Sequence, residues 1–250
     1  MRFFRLLGLS VQFMTQVPIP KQLKVTDKDF GAMTMFFPAS ALLVGAILAA
    51  VYLAFAWLRL PWAGAAAAML AAWLATGGLH IDGLADMADA FGAGKTKERT
   101  LLILKDSRVG TFGVLAIVFD IILKIILIGS IQNFNILLIL LALPAAGKIP
   151  LAVCAAAGRY PREEGTGKSM IENAGAKESI VCAALCQVIL FFCMGISSFI
   201  LLPILIAAGF VLKAAATRRI GGVTGDILGA ANETGELLFL LFAAIIGAAA

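Results

Sequence analysis

The sequence has 250 residues, of which 61% are hydrophobic and only 14% are charged, and its mean hydropathy is +0.99. This composition lies far outside the range of water-soluble domains and excludes an ordinary soluble globular protein. The net charge of +5 does not indicate nucleic-acid binding, because membrane proteins carry excess Lys and Arg on one side of the bilayer. We therefore predict a membrane protein with the lipid bilayer, and no nucleic acid, as its partner.

Uncharged stretches recur at about the 20 residues that a helix needs to cross a ~30 Å hydrocarbon core. A helix satisfies all of its backbone hydrogen bonds internally, so the pattern predicts an all-α polytopic bundle of about six to seven transmembrane helices. The whole chain, residues 1–250, forms one integral membrane domain. Its first part, residues 1–30, carries Arg2 and Arg5 without a small-residue cleavage site, which predicts an amphipathic segment that is retained.

Several apolar stretches reach or exceed the length of a transmembrane helix. They are residues 35–58, 61–79, 109–128, 136–157 and 179–212. The last stretch is too long for one upright span, so we expect residues 197–203 to turn the chain between two helices. Residues 237–250 number only 14 and leave a seventh crossing open.

Charged residues fall almost entirely on one side of this predicted bundle. Of the 20 Lys and Arg residues, 17 lie in the N-terminal segment or in segments 80–110, 158–178 and 213–236, and 14 of the 15 acidic residues share that side. Arg59 alone falls on the opposite side. The positive-inside rule makes the charged side cytoplasmic, which predicts a multi-pass cytoplasmic-membrane protein with its N-terminus and its catalytic loops, 77–113 and 213–236, in the cytoplasm.

Three aspartates share one helical face within residues 77–90, GGLHIDGLADMADA. Asp82, Asp86 and Asp89 are spaced i, i+4 and i+7, which stacks their carboxylates on one face. Clustered acids repel one another, and Mg²⁺ would remove this repulsion while a phosphorylated substrate completed its oxygen shell. A solvated acidic helix start is the alternative. Their position beside the membrane boundary, between small and apolar residues, favours the metal site.

His80 is the only histidine and precedes Asp82 by two residues. Because histidine titrates near neutral pH, His80 is a candidate general base. It can equally orient a neighbouring carboxylate, or simply end a helix as a polar residue, and the sequence leaves these roles open.

A second motif, residues 105–113 (KDSRVGTFG), precedes the third predicted span. Lys105 and Arg108 can hold phosphate oxygens, with Asp106 between them, and the glycines allow backbone amides to approach an anion. Anchoring of the span at lipid headgroups is the alternative.

A third motif combines paired arginines, a glycine-rich turn and acids on one helical face. Its predicted substrate-binding or metal-binding residues are Arg218, Arg219, Thr224, Asp226, Glu233 and Glu236. This arrangement offers phosphate clamps followed by further metal or base carboxylates, but it lacks the Lys-Ser/Thr ending of a nucleotide P-loop. A flexible loop before an amphipathic helix is the alternative. The loop 159–178, with Arg159 and Arg162, either faces substrate or is a solvated connection.

Two charges, Asp120 and Lys124, lie inside the third span with i, i+4 spacing. Charges within a membrane are functional by default, which would suit a transporter, whereas a mutual ion pair stabilises the bundle. We favour the ion pair.

The three motifs resemble the adenosylcobinamide-GDP ribazoletransferases, also called cobalamin (5′-phosphate) synthases. The resemblance rests on residues 77–90, 105–113 and 221–230 with Glu233 and Glu236, and residues 13–20 resemble the opening of the family. It therefore extends over almost the whole chain, in the same order. Lys148 is a departure, because an arginine is expected near this position.

The resemblance implies a magnesium-dependent enzyme of cobalamin biosynthesis. This family joins adenosylcobinamide-GDP to α-ribazole or α-ribazole 5′-phosphate, giving adenosylcobalamin (5′-phosphate) and GMP. The residues and the resemblance together place His80, Asp82, Asp86, Asp89 and Asp226 in the catalytic site. The four aspartates would hold Mg²⁺, and Lys105, Arg108, Arg218 and Arg219 would clamp phosphates.

Two other functions compete with this interpretation. A CDP-alcohol phosphotransferase also places aspartates at a membrane edge, but its signature has Ala-Arg after the Asp-Gly pair, where this chain has Leu-Ala-Asp after Gly83. A transporter would place polar groups and broken helices near the bilayer midplane, whereas the acids here cluster at one edge. A homo-oligomer is compatible with all three functions.

Overall fold

The computed structural model describes residues 2–19, 23–131, 135–156, 158–165 and 167–249. Within these residues every regular element is a helix, which confirms the predicted all-α class. Several residues named in the predictions lie outside the described residues. They are Pro20, the end of the family-like segment 13–20, Ala157, the end of the fourth span, and Ala250, the end of the last segment. Lys21, one of the charges assigned to the cytoplasm, also lies outside them.

The described residues form twelve α-helices. They are α1 (Arg2–Met14), α2 (Asp27–Ala32), α3 (Phe37–Trp57), α4 (Pro61–Thr76), α5 (Leu79–Ala93), α6 (Lys97–Ile103), α7 (Thr111–Ser130), α8 (Ile136–Ala155), α9 (Lys168–Asn173), α10 (Ala176–Met194), α11 (Ser198–Ile220) and α12 (Gly225–Ala249).

Five helical stretches within the described residues are long and apolar enough to cross a membrane. They are Asp27–Trp57, Thr111–Ser130, Ile136–Ala155, Ala176–Ile220 and Gly225–Gly247, and the bent pair α4–α5 is a sixth candidate. The protein is therefore a polytopic helical membrane protein, as predicted.

The stretch Ala176–Ile220 is a hairpin of α10 and α11. Near its start, the Ser179 hydroxyl donates to the Ala152 carbonyl at 2.8 Å, and near its end the Lys213 ammonium donates to the Ala156 carbonyl. Both ends therefore lie beside the C-terminus of α8. The predicted turn is confirmed, although it lies at Gly195–Ser197, and Pro203 falls inside α11.

The predicted loop at 213–236 is only a short turn at 221–224 between two helices, and the predicted helix that carries Asp226 and Glu233 is confirmed. Helix α11 continues to Ile220, and α12 begins at Gly225 and runs for 25 residues, so the last crossing starts twelve residues before the predicted 237. A helix can carry Glu233 and Glu236 through the bundle because both side chains pair with the buried Lys124. The other segment, 77–113, contains α5 and α6, so the three aspartates of residues 77–90 lie on a helix as predicted.

Helix α8 lies at the centre of the bundle and packs against α3, α10, α11 and α12. Small residues allow these close contacts: a Cβ on Gly45 of α3 would lie 2.1 Å from the Leu141 carbonyl oxygen. Ala145 and Ala146 of α8 are completely buried. Packing through small residues is the expected way for helices to associate in lipid.

Helix α5 turns away from α4 by 92° at two glycines. Gly77 and Gly78 adopt left-handed conformations, with φ of 64° and 72°, which residues with a side chain rarely adopt. This bend stops the apolar helix α4 and starts a new helix in a different direction. It places the aspartate motif at the edge of the bundle instead of in its apolar interior.

Helices α5 and α12 cross at glycines. A Cβ on Gly83 would lie 2.8 Å from the Asp226 carbonyl oxygen and 3.1 Å from the Cα of Gly229. The two backbones therefore approach each other more closely than any residue with a side chain would allow. This crossing sets the distance between the aspartates of α5 and Asp226 of α12.

Replacing Gly83 by Ala is expected to destabilise the protein by roughly 1–3 kcal/mol, because the new methyl group must push the two backbones apart. Thermal unfolding in detergent measures the effect. Gly225→Ala is the matched control, since a Cβ there meets no atom within 4 Å. Equal unfolding temperatures for the two variants would contradict this description of the crossing.

Candidate active site

Three carboxylates from two helices meet at the edge of the bundle. Asp82 and Asp86 lie one turn apart on α5, and Asp226 lies in the first turn of α12, next to the crossing at Gly83. The negative charges of Asp82, Asp226 and Asp89 all act on Asp86. Asp82 is exposed, and Asp86 and Asp226 are partly buried. The four predicted metal ligands are therefore near one another, and Asp82 and Asp226 line the same cavity.

Two cavities meet at Asp82. A cavity of ≈ 130 Å³ is lined by Asp82, Asp226 and His80. A wider groove of ≈ 520 Å³ lies between Asp82 and the N-terminal residues Phe13 and Gln16. The N-terminal part of the chain therefore belongs to the site, because Phe13 and Gln16 form part of one wall of the groove.

Asp89 contacts the second motif. Its carboxylate accepts backbone hydrogen bonds from Gly110, at 2.7 Å, and from Gly113, at 2.9 Å, one on each oxygen. A carboxylate is well placed at the N-terminus of a helix, here α7, where N–H groups lack intrahelical partners. Like Asp86, Asp89 lines neither of the two cavities. Its contacts indicate a positioning role in which it holds residues 105–113 against α5.

Replacing Asp89 by Asn is expected to lower turnover about tenfold, because an amide cannot accept both backbone hydrogen bonds and the second motif loses its position. The affinity of the substrate-free protein for Mn²⁺, used as a spectroscopic substitute for Mg²⁺, should not change. Electron paramagnetic resonance of Mn²⁺ separates the two roles. A matching loss of Mn²⁺ affinity would instead support the prediction that Asp89 is a metal ligand.

Arg108 and Asp106 pair with each other on the exposed surface. The guanidinium donates to the Asp106 carboxylate at 2.6 Å, and this side-chain hydrogen bond, with a second from the Arg108 amide, lowers the pKa of Asp106 to about 2. Lys105 and Arg99 line the same shallow groove. Phosphate binding by Lys105, Asp106 and Arg108 remains a prediction. The groove that these residues line includes none of the three carboxylates.

The residues of the third motif have different partners. Arg219 donates to the carbonyls of Gly94 and Phe91, so it caps the C-terminal end of α5. Arg218 is exposed. Thr224 is buried and its hydroxyl donates to Oδ2 of Asp226 at 3.0 Å, which fixes the orientation of that carboxylate.

A buried ionic cluster lies deeper in the bundle. Lys124 contacts Asp120 at 3.1 Å, Glu236 at 2.9 Å and also Glu233. The predicted Asp120–Lys124 ion pair is confirmed, and it belongs to a larger group that ties α7 to α12. Glu233 and Glu236 therefore take part in helix packing, and their contact with substrate stays a prediction.

His80 contacts a lysine and none of the three carboxylates in the hydrogen bonds of the described residues. Its Nε2 lies 2.7 Å from Nζ of Lys148, and the same ammonium donates to Oδ1 of Asn232 at 2.7 Å. All three residues are buried. His80 thus lies between the cavity of Asp82 and the ionic cluster, with its Nε2 already engaged.

Arg162, which the sequence did not distinguish from Arg159, belongs to the acidic site. Its Nη2 lies 3.3 Å from Oδ2 of Asp226, 64 residues further along the chain. No local pattern in the sequence marks such a contact, because the connecting segment contains α9, α10 and α11.

The acidic site fits magnesium in the chemistry of its donors. Asp82, Asp86 and Asp226 offer oxygen ligands, which Mg²⁺ prefers. In the described part of the chain, no three His, Cys, Asp or Glu side chains are already arranged around one point as metal ligands. Mg²⁺ commonly uses only one or two carboxylates and completes its shell with water and substrate phosphates, so a preformed cage is not required.

The fold and the site define a polytopic helical membrane protein with a carboxylate site at the edge of its helical bundle. A model of the cobalamin-5-phosphate synthase family matches residues 6–244. The chain therefore belongs to the cobalamin-5-phosphate synthase family, which confirms the resemblance seen in the sequence.

Relatives of similar length agree with this family. The chain is 35% identical to an adenosylcobinamide-GDP ribazoletransferase of Clostridium acetobutylicum, over 96% of both chains. It is 33% identical to one of Acetivibrio thermocellus, over 96% of this chain and 98% of the relative. It is also 35% identical to an adenosylcobinamide-GDP ribazoletransferase of Klebsiella pneumoniae, over 93% of this chain and 96% of the relative. No solved structure matches the chain.

Proposed function

We propose that this protein is an adenosylcobinamide-GDP ribazoletransferase. It would join adenosylcobinamide-GDP to α-ribazole or α-ribazole 5′-phosphate and release GMP, in the biosynthesis of cobalamin. The observation that carries the proposal is membership of the family over nearly the whole chain, since residues 6–244 match and the chain covers 96% and 98% of two relatives. Neither a CDP-alcohol phosphotransferase nor a transporter has comparable support.

The reaction is a displacement at phosphorus. The ribazole hydroxyl oxygen forms a bond to the phosphorus that carries cobinamide, the bond from that phosphorus to the GMP oxygen breaks, and GMP leaves with the electron pair. The hydroxyl proton passes to a base. Because Nε2 of His80 is engaged by Lys148, a carboxylate of the acidic site is the better candidate for this base.

Asp82, Asp86 and Asp226 would hold Mg²⁺ in this site. When bound, the ion neutralises the pyrophosphate oxygens. Thr224 keeps Asp226 oriented, and the Gly83 crossing keeps the carboxylates of the two helices together. The groove of ≈ 520 Å³ beside Asp82 offers room for part of a substrate larger than the inner cavity.

The cytoplasmic membrane is the proposed location, with α5 and the start of α12 facing the cytoplasm. The asymmetry of the Lys and Arg residues supports this orientation. The orientation is tested in intact cells with a membrane-impermeant thiol reagent and a cysteine placed at Glu98 or at Arg59. The reagent should label only the cysteine at position 59.

A homo-oligomer in the bilayer also remains a proposal, which light scattering in detergent would test.

The activity is tested with detergent-purified protein, adenosylcobinamide-GDP and α-ribazole 5′-phosphate, with Mg²⁺ or with EDTA. Release of GMP together with a corrinoid product, in Mg²⁺ only, is the expected result. Product in both conditions would keep the transferase and reject the metal. No product from folded protein, together with turnover of a CDP-alcohol substrate, would reject the transferase as well.

A further inference from the structure

Arg162 reaches the acidic site from a loop that is held in place by its backbone. The Val223 amide donates to the Arg159 carbonyl at 2.9 Å, and a Cβ on Gly222 would lie 2.1 Å from the same oxygen. Between Arg159 and Arg162, Tyr160 is buried. The loop therefore packs closely on the turn before α12 and delivers Arg162 to Asp226.

The guanidinium of Arg162 has hydrogen-bonding capacity left over. Its side chain is only 11% exposed, and its Nε is buried without a hydrogen-bond partner among the described residues. Arg162 and Thr224 both donate to Oδ2 of Asp226. A buried donor without a partner is unfavourable, and a planar guanidinium is well suited to a phosphate that would satisfy it.

The positive charge of Arg162 acts on two carboxylates of the acidic site. It acts on Asp86 as well as on Asp226, where it opposes the mutual repulsion of the carboxylates. A divalent cation bound to the same carboxylates would oppose this repulsion more strongly, and it would repel a guanidinium that remained on Asp226.

We propose that Arg162 exchanges partners during the reaction cycle: it pairs with Asp226 in the metal-free protein and moves to a phosphate of the nucleotide substrate when Mg²⁺ binds. This inference rests on the proposed magnesium-dependent transferase function. It makes Arg162 both a competitor of the metal and a ligand of the substrate, so its removal has opposite effects on the two affinities.

Arg162→Gln should therefore bind Mn²⁺ about three- to tenfold more tightly than the wild type in the absence of substrate, because a nearby positive charge is gone. The same variant should show a kcat/KM for adenosylcobinamide-GDP lowered by about 10²-fold, because charge-assisted contacts to phosphate are lost. Mn²⁺ affinity is measured by electron paramagnetic resonance, and kcat/KM by GMP release.

Two further variants identify the cause. Arg162→Lys keeps the charge but not the planar donor group, so its Mn²⁺ affinity should stay near that of the wild type while kcat/KM falls. Arg159→Gln removes the same charge from an exposed side chain three residues away and should leave Mn²⁺ affinity unchanged.

The outcomes separate this inference from the function on which it rests. If the wild type shows Mg²⁺-dependent activity but Arg162→Gln binds Mn²⁺ no more tightly, the exchange of partners is wrong and the function stands. Loss of both affinities in folded Arg162→Gln would mean that Arg162 only maintains the shape of the site. A wild type that neither binds Mn²⁺ nor turns over would instead reject the proposed function.

Discussion

Replacement of Asp82 by Asn is expected to reduce GMP release by about 10³-fold or more, while the protein remains inserted and folded. Asp82 is exposed at the junction of the two cavities, so its carboxylate is free to contact both metal and substrate. Asparagine keeps the shape of the side chain and removes its charge. The loss should therefore appear in turnover and not in the unfolding temperature.

Glu98→Gln is the matched control for this variant. Glu98 is an exposed acid on α6, and its replacement also removes one carboxylate charge without changing the shape of the side chain. It should retain the activity of the wild type. If Asp82→Asn retained activity as well, Asp82 could not be a ligand of an essential metal.

Replacement of Lys124 by Met is expected to lower the free energy of unfolding by about 3–5 kcal/mol. Lys124 is buried among Asp120, Glu233 and Glu236, and its ammonium contacts all three carboxylates. Removing the lysine leaves three carboxylates close together without a positive partner. Thermal unfolding in detergent should show a large fall in the unfolding temperature.

Asp120→Asn gives the contrast that identifies charge as the cause. This variant leaves Lys124 with two carboxylate partners, so its stability should change by about 1 kcal/mol or less. Similar losses in the two variants would show that the cluster stabilises the bundle through packing and not through ionic contacts.

The membrane spans could be predicted from the sequence where charge and hydropathy change together. The ends of α3 and α7 and the turn before α11 lie within a few residues of the predicted positions. The helical start of α12 was predicted, but its passage through the bundle as one long helix was not, because hydropathy treats Glu233 and Glu236 as solvated. Only the partner Lys124, more than one hundred residues earlier, makes those acids compatible with a helix inside the bundle.

Only part of the candidate site could be predicted, because contacts between helices that are distant in the sequence form the rest. Helical spacing alone places Asp82 and Asp86 on one face. The meeting of Asp226 with them depends on a crossing of two distant helices at Gly83, and the link from Asp89 to Gly110 depends on the return of the chain in α7. Arg219 and Arg162 look alike as bases in the sequence, yet one caps a helix and the other contacts a carboxylate.

Binding of Mn²⁺ to the purified protein, followed by electron paramagnetic resonance, tests most directly whether the carboxylates of α5 and α12 form one metal site. The wild type should bind Mn²⁺, Mg²⁺ should displace it, and a variant that combines Asp82→Asn with Asp226→Asn should lose this binding. Unchanged Mn²⁺ affinity in the folded double variant would contradict a magnesium site at this edge of the bundle.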